Sequence, residues 1–318
     1  EIEPRVLQSF KVAKVFPRVD VINSMDFTAD GKFLVSACDD DSIVCHNMET
    51  GNEEIMVFSK RYGAELITAT HHAPAVIYAP KKQTQDKSLR YLSLYDNRFL
   101  RTFPGHKDRT LSISMSPLDD TFLSSSLDGT IRMWDLRQSQ CKGLLNTNIP
   151  GVQNRASLVA AYDKEGVVFA TAIGQNIIKL YDGRNYDAGP FSTFTVSYRS
   201  DLHWRNIEFS NDGKLILLTT PVGIIVVDSF EGTLVKHITG YTNTKGFPIT
   251  ASFSPDGNYI FTGSEDGIIH VFNSKTGEPV AKWNGQPPHP TPVGIVRFNP
   301  KSMVAASASK VLSLWLPS

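Results

Sequence analysis

The stretch ASFSPDGNYIFTGSEDGIIHVFN (Ala251–Asn273) decides the fold. Apolar residues alternate on either side of Pro255-Asp256-Gly257, where proline fixes φ and glycine accepts positive φ. The pattern predicts two antiparallel strands around a tight turn, followed by a third strand in the β-branched run GIIHVFN. Long helical periodicity is absent.

The same pattern returns along the chain. It starts at Met25 (MDFTADGKFLVSACDDDSIVCHN), Ile113 (ISMSPLDDTFLSSSLDGTIRMWD), Ala160, Ile207, Ala251 and Val296. The large residue before each first turn is Phe27, Met115, Tyr162, Phe209, Phe253 or Phe298; the steps between them are 88, 47, 47, 44 and 45 residues, the first being two units of 44. The skipped unit falls in Glu65–Asn97, giving seven units.

A repeat of about 40–45 residues with four strands per unit resembles the WD40 β-propeller. One four-stranded blade cannot bury both its faces, whereas a closed ring buries each against a neighbour and shields most edges. The sequence therefore predicts one all-β, seven-bladed WD40 propeller. The last unit supplies only three strands, so Val6–Phe16 is expected to add its outer strand and lock the ring. The expected boundaries are 5–16 for the closing strand and 17–58, 59–104, 105–150, 151–198, 199–241, 242–286 and 287–318 for the blades.

The third unit carries residue types found in hydrolase triads: His106, Ser126 and Asp128, with Trp134 beside them. A triad needs an exposed nucleophile and an oxyanion hole, and no G-x-S-x-G elbow is present here. The WD40 resemblance implies instead a buried hydrogen-bonded chain of His106, Ser126, Asp128 and Trp134, which satisfies the donor-only indole. Other units keep fragments of the set: Ser264, Asp266 and Phe272 in unit six, and Cys38, Asp40 and His46 in unit one. Trp315 is expected to fill the Trp134 position in the last blade. No catalytic residue is expected.

Composition narrows the remaining functions. The 318 residues are 41% hydrophobic, enough for a sizeable core, and 32 Lys+Arg balance 32 Asp+Glu. Direct nucleic-acid binding is not expected without a global basic excess. Three scattered cysteines give neither a disulfide framework nor a C-x-x-C zinc site. The opening residues lack a signal-peptide pattern, and no apolar run is long enough to span a membrane. Asp39–Asp41 lacks the spacing of a calcium loop, and His71 and His72, adjacent on a strand, point to opposite faces. No metal or cofactor is expected.

Charge is uneven. Residues 60–109 hold ten Lys/Arg and four acids, a net +6 that leaves −6 for the rest. This suits a solvated rim, or a docking surface for an acidic segment or nucleic acid. Propellers usually bind partners where the turns before the tetrad aspartates meet the loops entering each blade. That register singles out Asp39, Lys107, Arg109, Leu127 and Glu265, with Leu127 and Arg109 expected to be exposed. A second reading concerns Trp134, Asp135 and Arg137: W-D-x-R occurs in propellers that dock onto cullin-ring ubiquitin ligase adaptors. The motif is short and common, and a local Asp135–Arg137 contact is the preferred explanation.

Beyond the generic pattern, KRYGAELITATHH (60–72), LRYLSLYDNRFLRTFPGH (89–106), MSPLDDTFLSSSLDGTIRMWDLR (115–137), FSNDGKLIL (209–217) and FNPKSMVAASAS (298–309) carry a specific resemblance. They are similar to the small nuclear WD-repeat family shared by the COMPASS histone methyltransferase and by complexes of protein phosphatase-1 with a PNUTS-type scaffold, joined in fungi to the cleavage and polyadenylation factor. The resemblance implies a non-enzymatic nuclear subunit. Its implied partners are the methyltransferase subunit or the phosphatase scaffold and, indirectly, RNA polymerase II during transcription termination. The sequence departs from the family at His46, which stands where tryptophan is usual, and in the long connection 146–157.

Overall fold

The computed structural model describes residues 2–82, 85–147, 157–174, 176–196, 203–284, 289 and 292–318. The connection noted above falls mostly outside these residues. Among them, twenty-eight strands form seven four-stranded antiparallel sheets. Blade three is typical, with strands Thr110–Met115, Thr121–Ser126, Thr130–Asp135 and Gln138–Asn146 from the channel outward. Each residue that marked the sequence period ends an innermost strand, as Phe27 ends Ile22–Phe27 and Phe298 ends Ile295–Phe298. The period is thus the angular step of the ring.

The core is divided. Seven apolar clusters lie one at each blade border: Val35, Ile43, Ile67 and Tyr78 between blades one and two, and Val159, Leu180, Ile216 and Val227 between blades four and five. This follows from strand alternation, since successive side chains face opposite neighbours and both faces are buried. Innermost strands of adjacent blades are joined by side chains. Ser24 Oγ donates to the Ile67 carbonyl and accepts from its N–H, and Ser252 Oγ donates to the Val296 carbonyl at 2.8 Å. Arg297 of blade seven reaches Glu208 of blade five at 3.2 Å, an ion pair between non-adjacent blades.

Strand Phe10–Pro17 pairs with Val311–Pro317 and completes blade seven, closing the ring. The expected strand from Val6 begins later, because Pro4–Gln8 is a helical turn. Proline tolerates the first helical turn, where its missing N–H is not needed. That turn drives Leu7 into the cluster between blades six and seven, where Trp283 Nε1 donates to the Leu7 carbonyl at 2.7 Å.

Candidate functional site

The polar set of blade three is built by the loop before the blade and by its two central strands. Gly105 lets the chain pass close to the Arg132 guanidinium and the indole, since a Cβ there would run into the guanidinium and lie 3.2 Å from Trp134. His106 follows, with Nδ1 3.0 Å from Asp128 Oδ2 and Nε2 2.7 Å from Ser124 Oγ. Trp134 Nε1 donates to the same Ser124 Oγ at 2.8 Å. His106, Asp128 and Trp134 therefore stand in the expected chain, but the linking hydroxyl is Ser124 and not Ser126. Both serines lie on one face of Thr121–Ser126, two residues apart. Ser126 is at the strand end, too far along to meet the indole, and its Oγ donates to the Asp108 carbonyl at 3.0 Å. Cys38 and Ser264 make the same bond to Asp20 and Thr242. This position is a fastener for the incoming loop.

Asp128 also accepts from the Lys107 N–H at 2.9 Å and from Thr130 Oγ1 at 2.6 Å. Burial alone would raise its pKa, but the hydrogen bonds from His106, Thr130 and Lys107 outweigh it and hold the carboxyl well below the usual range. Ser124 is fully buried between two ring nitrogens. A hydroxyl so placed holds blade and loop together and presents no nucleophile to a substrate.

Blade seven contains a second relay. Trp315 Nε1 donates to Ser307 Oγ at 2.8 Å, and His289 Nε2 lies 2.8 Å from the same oxygen. Ser309 Oγ, 2.7 Å from His289 Nδ1, takes the place of an aspartate. Sequence reading placed Trp315 and missed His289, which follows proline instead of glycine. The available signal was spacing, because histidine precedes the linking serine by 18 residues in both blades. In blade one, His46 fills the tryptophan position opposite Leu34, as Trp134 lies opposite Phe122. Its Nε2 is 3.1 Å from Arg18, whose guanidinium also pairs with Glu53 at 2.6 Å. Burial, and then the Arg18 charge, hold His46 down at about 4; burial does the same to His289.

The candidate partner residues occupy equivalent turns. The N–H groups of Asp39, Leu127 and Glu265 donate to the carbonyls of Val21, Arg109 and Thr242 in the loops entering blades one, three and six. The three turns thus share one end of the ring. Several of their charges are engaged within the chain. Asp39 pairs with Lys81, Arg109 clasps Glu65 with two nitrogens, and Glu265 accepts from the Thr244 and Lys245 N–H groups. Lys107 is exposed, whereas Leu127 is half-buried and not exposed as expected, because its turn folds back onto the entering loop. Much of the basic excess of residues 60–109 is likewise used internally, as Lys82 pairs with Asp41 and buried Arg90 with Asp86.

Arg137 makes the local contact. Its Nε and Nη2 donate to the two Asp135 oxygens at 2.9 and 2.7 Å, and this pairing holds the Asp135 carboxyl at about 2. His71 and His72 lie in the turn after strand Leu66–Ala69 and not on a strand as expected, and they diverge to the Ser116 carbonyl and Asp120. The described residues hold no group of three or more His, Cys, Asp or Glu side chains able to bind a metal. Sequence reading missed Asp26, a channel carboxylate held by Thr68 Oγ1 and the Ala69 N–H; burial raises its pKa.

Seven four-stranded blades, a closing N-terminal strand and histidine–serine–tryptophan relays beneath the turns define a WD40-repeat propeller. The model of the family described as WD domain, G-beta repeat, matches residues 13–47, 97–135 and 232–273. The chain is 46% identical to WD repeat-containing protein 82 of Drosophila melanogaster, over 98% of this chain and 96% of that one. It is 35% identical to Set1 complex component swd2 of Schizosaccharomyces pombe, covering 94% and 87%, and 29% identical to COMPASS component SWD2 of Saccharomyces cerevisiae, covering 93% and 90%. The chain belongs to this WD40-repeat family, whose members include WD repeat-containing protein 82 and the Swd2 components.

Proposed function

We propose that the chain is a non-catalytic scaffold subunit of nuclear chromatin and transcription machinery. In this reading it supports histone H3 lysine methylation within COMPASS and serves transcription termination and mRNA 3'-end processing with protein phosphatase-1. The observation that carries the reading is likeness over nearly the whole chain to proteins named as Set1-complex and COMPASS components. The buried relay supports it, because the triad-like side chains of blade three are committed to holding that blade together. The partner segment would lie over the turn-bearing end, with Leu127 supplying apolar contact and Lys107 orientation and on-rate.

Affinity purification of the full chain from nuclear extract, followed by mass spectrometry, tests this. Methyltransferase or phosphatase-scaffold subunits are expected at stoichiometric abundance. Recovery of cullin adaptors in their place, lost on Arg137→Ala, would overturn the proposal.

A further inference from the structure

The outer strands of blades one, two, five and six share one irregularity with different consequences. In blade two, Tyr91 lies opposite Arg101 and Leu92 opposite Phe99, so Leu100 is an extra, unopposed residue. Such a bulge breaks the alternation that would turn one of two successive side chains inward. Phe99 and Leu100 are consequently both exposed, at 51% and 48%. Blade one places Glu53 and Glu54 at its corresponding bulge. Blade six places Pro279 and Val280 there; Pro279 stays exposed, but the chain half-buries Val280 itself, as Gln8 donates to the Val280 carbonyl and Val280 packs against the cluster that holds Leu7. One short apolar segment lying on a bulged outer strand is thus already seen in this molecule.

The blade-two strip extends inward to Tyr62, whose ring meets Phe99 edge-on at 6.1 Å. Its charges are basic. Arg61 lies 5.2 Å from the Tyr62 ring, Arg98 is 80% exposed, and Arg101 is fixed by a hydrogen bond to the Leu136 carbonyl. The nearest acid on the hairpin, Asp96, is 3.8 Å from Arg98, a loose surface pair of little energetic weight.

We infer that the blade-two outer strand, through Tyr62, Phe99 and Leu100 flanked by Arg61, Arg98 and Arg101, is a docking strip for a short partner segment that alternates bulky apolar with acidic residues. The apolar side chains cover Phe99 and Leu100, as the N-terminal segment packs on Val280 of blade six, and the carboxylates meet the three arginines. The surface is separate from the turns that carry Leu127, and the inference holds whichever complex the propeller joins.

The test is selection of a displayed library of random 12-residue peptides on the full chain at physiological salt, then fluorescence anisotropy with the most enriched sequence. The expected peptides combine Asp or Glu with Phe, Leu or Trp. Binding should weaken at least tenfold with Phe99→Ser/Leu100→Ser and with Arg98→Glu, and stay unchanged with Leu127→Asp. Arg98→Glu alters a side chain in solvent, so it keeps the test decisive if the double variant melts early. No enrichment, enriched peptides without acids, or affinity unaffected by Arg98→Glu would overturn the inference. So would sedimentation showing a dimer that Phe99→Ser/Leu100→Ser dissolves, which would make the strip a self-interface.

Discussion

Ser124→Ala measures what the blade-three relay contributes. The hydroxyl is fully buried and serves two ring nitrogens, accepting from Trp134 Nε1 at 2.8 Å and meeting His106 Nε2 at 2.7 Å. Removing it leaves two buried polar atoms without a partner, at about 1–3 kcal/mol each if neither finds water. A loss of about 2–6 kcal/mol is expected. Ser126→Ala is the internal control. That hydroxyl is also buried, but its partners, the Asp108 carbonyl and the Asp128 N–H at 3.2 Å, belong to an exposed loop residue and a half-buried turn residue that water can reach, so its removal should cost only about 1 kcal/mol. Urea denaturation of both variants compares the midpoints, and a cycle with Trp134→Phe isolates the pair. Phenylalanine has no N–H to orphan, so Ser124→Ala should cost less in that background by about 0.5–3 kcal/mol. Equal costs for the two serines, or additive effects with Trp134→Phe, would refute the assignment of Ser124 as the link.

The remaining predictions follow from other parts of the ring. His46 and His289 are held at about 4 in the fold, below the ordinary 6.5, so protons bind the unfolded chain better. Stability should be full above about pH 6.5 and fall toward pH 4 by up to about 3 kcal/mol per histidine, a decline that His289→Gln should make shallower in a pH series of urea melts. Deleting residues 1–16 should expose the edge of Val311–Pro317 and remove Leu7 and Phe10 from the core; light scattering should show aggregation, and a monomer with unchanged melting temperature would contradict the closure. Asp128→Ala should cost about 1–3 kcal/mol without abolishing any chemical activity, checked by melting alongside hydrolase assays. Leu127→Asp with Lys107→Glu should weaken binding to methyltransferase or phosphatase-scaffold fragments at least tenfold, about 1.4 kcal/mol, in a titration with purified proteins. Arg109→Glu is a poorer probe, because it also breaks the clasp on Glu65.

What the sequence determined by itself is the repeat. Proline-, aspartate- and glycine-bearing turns and two-residue alternation are local, so strands and turns could be read in order, and the recurrence of Phe27, Phe209, Phe253 and Phe298 gave the blade step. The tryptophan positions followed from the same register. What only the tertiary structure decided was which side chains meet across a blade. Ser124 and Ser126 look alike in sequence because both face one way, and only the lateral distance to Trp134 selects Ser124. The blade-seven relay depends on His289 arriving from a loop without a glycine to mark it. The charges of residues 60–109 summed to a basic patch in sequence, yet Asp39, Asp41 and Glu65 are brought against Lys81, Lys82 and Arg109 by the packing of adjacent blades. Pairing of that kind depends on angles between blades, which no local pattern encodes.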